Sequence, residues 1–408
     1  MSRQYYRLSL TREFNYVAQS PAKIYGVAFD AHIAEMSSNA LGAFLSTTHL
    51  PYFIDPVLYK FSQPYFEAVA EKRWVEPLSK AYGIDQQITG TSDGFTPSEL
   101  TKFKAIDSAV ASMLDFQRTR LSNLSSKVGA LAELLGEAAT SIARPEILVA
   151  PYLITQDSPS LNANQRLLAA ALKAKHQDER LYAVAAIDVD YLEGDALRQS
   201  VVSQCARPGV DGVCVWVIDF NETIEDSAQL NRLSNFVNEL KGALPGKEVM
   251  NLYSGYFSTV LAARKLLSAT VQGVGISEYK DPGASGGGGV LRYYIPIGHQ
   301  YVGVDMAEDL RQADQSLFGC KCPNCAGSTS FNSLSVEALA KHYLHTRSNE
   351  FAQAAKTPAT AIVDKLRADA KLVDAVKGGV AAATGSFERR LMAWADAIDA
   401  DVNAGRYS

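Results

Sequence analysis

Hydrophobic and polar positions change their rhythm twice along the chain. The early runs Lys23–Asp30 and Pro51–Asp55 are apolar and aromatic without polar alternation, and each closes on a carboxylate. That is the pattern of strands buried on both faces. From about Leu58 to Ala143 apolar residues recur instead at three- and four-residue spacing, as at Phe103, Ile106, Val110, Met113 and Leu114, which predicts a helical insertion. Beyond it the rhythm becomes regular. Ile147–Leu153, Leu181–Asp188, Gly212–Asp219, Val249–Gly255 and Gly273–Glu278 read as strands, separated by helices around Asn164–Lys175, Asp195–Cys205, Ser227–Leu240 and Phe257–Ser268. Repeated βα units predict a parallel sheet covered by helices. One further strand, near Arg12–Val17 or Tyr301–Asp305, brings the count to eight and the fold class to α/β, a (β/α)8 TIM-type barrel. An open doubly wound sheet is the alternative, disfavoured because no Gly-x-Gly-x-x-Gly turn follows the first strand. The barrel then occupies 1–282, with the helical insertion at about 58–143. A Gly-rich loop and a Cys/His segment occupy 283–345, and a helical region 346–408.

Composition changes this picture little. The 408 residues, 47% of them hydrophobic, suffice for a barrel with appendages. No run approaches the length of a membrane span, and the N-terminus lacks the pattern of a targeting segment, so a cytoplasmic protein is expected. The net charge of −5 requires any nucleic-acid binding to come from a local basic patch.

Candidate chemistry enters with the acids. Asp30, Asp55, Asp188, Asp219 and Glu278 each close an expected strand, and in a parallel barrel all strand C-termini open on one face. A mouth crowded with carboxylates can supply an acid, a base or a nucleophile; taken singly, each acid fits an N-cap or loop anchor equally well. Glu278 and Tyr279 lead into four consecutive glycines, Gly286–Gly289, followed by Arg292, Tyr293 and Tyr294. Such a segment permits close approach to a phosphate or base, with Arg292 to pair and tyrosines to stack, or it is a hairpin tip. Tyr253, with Gly255 at the same strand end, and Tyr279 and Tyr293 are the stacking candidates.

Three of the five cysteines lie in Cys320-Lys-Cys322-Pro-Asn-Cys325, and His342 and His345 follow on an expected helix. Three thiolates and one imidazole close a tetrahedral zinc site and leave no position for water, so the metal would be structural. Cys205 and Cys214 read as core residues.

In its strand-end acids, Gly-rich segment and Cys/His motif the chain resembles the tRNA-guanine transglycosylase superfamily, including relatives that insert 7-deazaguanine bases into DNA. The resemblance spans roughly Phe53 to Glu350, and the Cys-x-Cys-x-x-Cys motif is its specific part. It implies a (β/α)8 barrel with a zinc subdomain after the last strand, its ligands Cys320, Cys322, Cys325 and His342, with His345 the alternative histidine. It also implies exchange of guanine for a 7-deazaguanine in tRNA or DNA, a pentosyl transfer. The covalent nucleophile would be Glu278, where the family has Asp, and Asp55 would assist proton transfer. Asp188 and Asp219 would accept hydrogen bonds from the base; Tyr253, Gly255, Tyr279 and Arg292 would complete the substrate site. The implied partners are a polynucleotide, the incoming base and a homodimeric or hetero-oligomeric mate. Two other readings stay open, a non-catalytic nucleic-acid-binding subunit and another carboxylate-dependent barrel hydrolase.

Overall fold

The computed structural model describes the chain apart from residues 1, 21, 89–90, 125–140, 275–279, 283–290, 326–327, 377–378 and 408. Eight strands run parallel: β1 Arg3–Leu8, β2 Gly26–Asp30, β3 Tyr52–Asp55, β4 Leu148–Val149, β5 Leu181–Asp188, β6 Gly212–Ile218, β7 Glu248–Asn251 and β8 Ala269–Gly273. Their order is β3-β2-β1-β8-β7-β6-β5-β4, so the last strand lies beside the first and the sheet curls into a nearly closed barrel. At the seam between β3 and β4 the Glu146 amide donates to the Tyr52 carbonyl at 2.8 Å. The same end is tied by side chains: Arg3 Nη1 meets Glu146 at 2.6 Å, Tyr5 Oη donates to Glu146 at 2.6 Å, and Arg180 Nη2 reaches Glu248 at 2.6 Å.

Two features of the barrel correct the sequence reading. Arg12–Val17 lies within a helix, α1 Thr11–Ala18, and Tyr301–Asp305 belongs to a hairpin and the helix after it; the missing strand is β1. The last strand is β8 at Ala269–Gly273, earlier than Gly273–Glu278, most of which lies outside the described residues. Alternation explains β1. Arg3, Tyr5 and Arg7 line the barrel interior from floor to mouth, whereas Gln4 and Tyr6 point to the surrounding layer, where Gln4 bonds Gln272 and Tyr6 packs on Tyr343.

Helices α2 Ala31–Met36 and α3 Ser38–Thr48 follow β2, and α4 Val75–Tyr82, α5 Asp85–Ile88, α6 Pro97–Lys102 and α7 Ile106–Thr119 form the helical insertion after β3. Helices α8 Ser158–Ala174, α9 Asp195–Cys205, α10 Ser227–Ala243 and α11 Tyr256–Ala263 follow β4 to β7 in turn. Asp157 and Asp226 cap α8 and α10, each accepting a backbone N–H of the first turn, worth about 1 kcal/mol apiece.

After β8 the chain makes an antiparallel hairpin, β9 Arg292–Ile295 with β10 Gln300–Gly303, then α12 Val304–Ala313, α13 Gln315–Phe318 and the cysteine knuckle. Only then comes the long helix α14 Val336–Lys356, which packs between α1 and α11 and so takes the place of the eighth barrel helix. The Cys/His segment is therefore inserted between the eighth strand and its own helix. Helix α14 runs across the 345/346 division expected from sequence; the C-terminal pair α15 Ala359–Asp374 and α16 Ala381–Asn403 packs together, with α16 against α10. Among the described residues no helix is long and apolar enough to cross a membrane.

Candidate active site and metal centre

At the mouth of the barrel the ends of β1, β2 and β3 bring together one guanidinium and two carboxylates. Arg7 Nη1 donates to Asp30 Oδ1 and, at 3.2 Å, to Asp55 Oδ2. Asp55 is completely buried and its oxygens are saturated: Tyr152 Oη lies 3.1 and 3.3 Å away, and the Val57 amide donates at 3.1 Å. The second oxygen of Asp30 accepts from Lys280 Nζ at 2.9 Å and lies 3.6 Å from Lys60 Nζ. Lys280 also donates to Tyr253 Oη at 2.8 Å.

Aromatic rings wall this floor. Trp216, from β6, packs against Tyr59 at 5.0 Å and Tyr253 at 5.1 Å between ring centroids. The Arg7 guanidinium lies 4.5 Å over Tyr253, and the Lys280 ammonium stands over all three rings at 5.2 to 5.8 Å.

Protonation states follow from these contacts. Burial opposes the charge of Asp30, but Lys280, Arg7 and Lys60 outweigh it and hold the carboxyl well below its ordinary value. Burial, then Lys280, pushes Lys60 down to about 8. Burial and Lys60 push His32 down to about 3, so the imidazole stacked 5.0 Å from Trp74 is neutral at pH 7. Burial raises the phenols of Tyr59, Tyr152 and Tyr253, which stay protonated.

A second group of acids rims the mouth. Asp188 accepts the Asp190 amide at 3.1 Å, and exposed Asp219 adopts φ +60° directly after β6. Asp219 is raised by its partial burial and then by Asp188, Asp281 and Asp190, and Tyr65 senses Asp188, Asp219 and Asp281. These acids therefore converge on one side of the opening, as strand ends of a parallel barrel must.

The other expected site residues divide. Glu278, Tyr279 and the four glycines lie outside the described residues. Tyr253 belongs to the mouth. Arg292 is exposed and opens the hairpin of the inserted segment. Tyr293 is no surface platform: it is fully buried, stacked between Phe331 at 3.9 Å and His342 at 4.3 Å. Gly255 serves the barrel wall, because the Glu222 carboxylate occupies the space beside it and accepts from the Ser258 amide at 3.0 Å. A Cβ there would meet Glu222 Oε2 at 2.7 Å. Gly255→Ala is therefore expected to cost about 1–3 kcal/mol of stability, measured by denaturant titration. An unchanged midpoint with altered ligand binding would instead return Gly255 to the substrate site.

The metal centre assembles as its spacing promised. Cys320, Cys322, Cys325 and His342 present ligand atoms within 4.8 Å of one another and could hold a metal ion. The three sulfurs lie 3.5, 3.3 and 3.4 Å from His342 Nδ1. Bond lengths of roughly 2.0–2.1 Å to nitrogen and 2.3 Å to sulfur give a tetrahedron with N···S edges of about 3.5 Å, so the donor set fits. His342 Nε2–H donates to the Tyr294 carbonyl at 2.7 Å, which leaves the Nδ1 lone pair toward the sulfurs. His345 points elsewhere and bonds Asn349 at 3.0 Å, so His342 is the histidine of the cluster. The thiols act on one another: hydrogen bonds from Cys322 and Cys325 hold the Cys320 thiol below its ordinary value, and hydrogen bonds to Cys320 and Cys322 push the Cys325 thiol up.

Arg7, Lys60, Lys280, Tyr59, Tyr152 and Trp216 were not singled out by sequence reasoning. Their signal existed only in part, as polar residues inside or beside apolar runs. No protein-family model matches the chain, and no curated protein does. Among solved structures it is similar to xylanase B from Clostridium stercorarium F9, at 12% identity over 66% of this chain and 85% of that one, with a TM-score of 0.31.

Proposed function

We propose that the chain exchanges guanine for a 7-deazaguanine in a polynucleotide, tRNA or DNA, and that its Cys3His cluster holds a structural zinc. The observation that supports this best is topological. The cluster lies in the insertion between the eighth strand and the eighth helix, its histidine on that helix, in the arrangement the resemblance implies. The barrel mouth adds buried carboxylates and aromatic rings, side chains of the kind that bind a planar base.

In this reading a Glu278 oxygen forms a bond to the anomeric carbon as the glycosidic C–N bond breaks, and guanine leaves with a proton. The incoming base then bonds the same carbon, loses its proton and releases Glu278. Asp55, saturated by Arg7, Tyr152 and Val57, acts as a positioning residue for Arg7. Asp30 is held ionised by Lys280, Arg7 and Lys60 and positions them, while Lys60, pushed down to about 8, is the group able to carry a proton near neutral pH. The rim acids Asp188 and Asp219 accept from the base's N1–H and exocyclic amine. Zinc, when bound, ties the insertion to its helix and takes no part in these steps.

Trapping experiments test the roles. Glu278→Gln is expected to abolish a covalent enzyme–polynucleotide adduct, whereas Asp30→Asn and Asp55→Asn slow turnover and leave the adduct detectable, since neither carboxylate forms the bond to the anomeric carbon. An adduct that survives Glu278→Gln and disappears in Asp281→Asn would move the nucleophile to Asp281.

A further inference from the structure

The floor of the mouth carries more cation than its carboxylates require. Arg7, Lys60 and Lys280 face Asp30 and Asp55, while His32 is neutral. Within this buried contact group three cations meet two carboxylates, the further acids Asp188, Asp219 and Asp281 standing at the rim, and burial makes an unmatched charge costly.

The hydrogen-bond inventory points the same way. Arg7 is 3% exposed and uses only Nη1 on the two aspartates; among the described residues its Nε and Nη2 have no partner. Those two N–H bonds run parallel on one edge of the guanidinium, the edge that takes both oxygens of a carboxylate or phosphate. Around them Trp216 Nε1 and Tyr59 Oη, also buried, lack partners as well. Unpaired buried donors are uncommon in folded proteins and call for a partner such as water, an ion or a ligand, and here four of them fall on side chains of one cluster.

We infer that the Arg7 fork, with Lys60 and Lys280, is a subsite for one oxyanion carried by the substrate, a carboxylate or a phosphate. Tyr59, Tyr253 and Trp216 packed around the fork favour a ligand whose body is a flat aromatic ring. The assignment deepens the base-exchange reading, on which the identification of the mouth as the substrate site rests. It adds that the ligand is anionic where it meets Arg7.

Binding titrations on the full chain, by calorimetry or NMR, test this without any exchange reaction. Indole-3-carboxylate is expected to bind at least about tenfold more tightly than indole-3-carboxamide, since a charge-assisted fork is lost in the amide. Arg7→Lys, which keeps the charge opposite Asp30 and Asp55 but not the fork, should erase that preference. Inorganic phosphate separates the sources: competition at comparable concentration assigns the subsite to a phosphate, and failure to compete assigns it to a carboxylate. Equal affinities of acid and amide for the unmodified protein would mean that the fork holds ordered water only, and would overturn the inference. Base exchange seen together with that result would leave the proposed function standing; oxyanion preference without base exchange would do the reverse.

Discussion

Cys322→Ser is expected to strip the chain of its metal and to lower its stability by more than about 4 kcal/mol, among the largest effects a single substitution can have. The inserted segment explains the size. Its core is a stack of Phe331, Tyr293 and His342, and Tyr293 Oη sits 3.6 Å from Cys325 Sγ, so the ligand shell and the aromatic core are one unit. Without an ion, three sulfurs and an imidazole at mutual contact must share protons in a buried place. Elemental analysis should give one zinc per chain for the unmodified protein and none for the variant, with a matching fall in the denaturation midpoint. His345→Ala is the control and should keep both metal and midpoint, because that ring bonds only Asn349 among the described residues. Metal retained by Cys322→Ser at full stoichiometry would show that the cluster is not the site.

Arg7→Met is the second large effect. It leaves Asp30 and Asp55 buried and stripped of their shared guanidinium, a loss of about 3–5 kcal/mol for breaking a buried pair from one side. The pH dependence carries the signature. Asp30 is held below its ordinary value of 3.8, so its contribution is fully present above that pH and is lost as pH falls through 3.8 toward the folded value. Removing Arg7 raises the folded value, shrinks that contribution and moves acid unfolding to higher pH. Lys60 acts in the same direction at higher pH: its value falls from 10.5 to about 8, so its burial costs stability at pH 7 and stability rises with pH between those limits. An acid-unfolding midpoint unmoved by Arg7→Met would show that the cluster does not hold Asp30 ionised.

Strands β2, β3, β5 and β6 were legible because an unbroken apolar run has one good use in a parallel barrel. The two strands that close the ring were not. In β1, Arg3, Gln4 and Arg7 interrupt Tyr5, Tyr6 and Leu8; in β8, Thr270 and Gln272 interrupt Ala269 and Val271. Arg3 is largely and the others fully buried, and partners far along the chain satisfy most of them: Arg3 with Glu146, Gln4 with Gln272, Arg7 with Asp55. Polarity in a strand argues against burial until its partner is known, and the partner is a tertiary fact.

The same distinction separates the two sites. The Cys3His cluster was readable because three of its members sit within six residues and the fourth on the next long helix. Helical geometry also separates His342 from His345, whose nitrogen faces along its own helix toward Asn349. The mouth was readable only as a list of strand-end acids. Its cations and tryptophan come from β1, the turn after β3, β6 and the segment after β8, and nothing local marks Arg7, Lys60, Trp216 or Lys280 as neighbours. Tyr293 and Gly255 show the limit from the other side: position near a strand end does not say whether a residue faces the opening or the wall.

The central claim is base exchange, and the most direct measurement is incorporation of labelled guanine into tRNA and into duplex DNA by the zinc-loaded protein. The account predicts incorporation into one of the two, abolished by Glu278→Gln. Binding of either polynucleotide with no label incorporated into any, and no adduct formed in the presence of a 7-deazaguanine base, would contradict it and leave a nucleic-acid-binding subunit in its place.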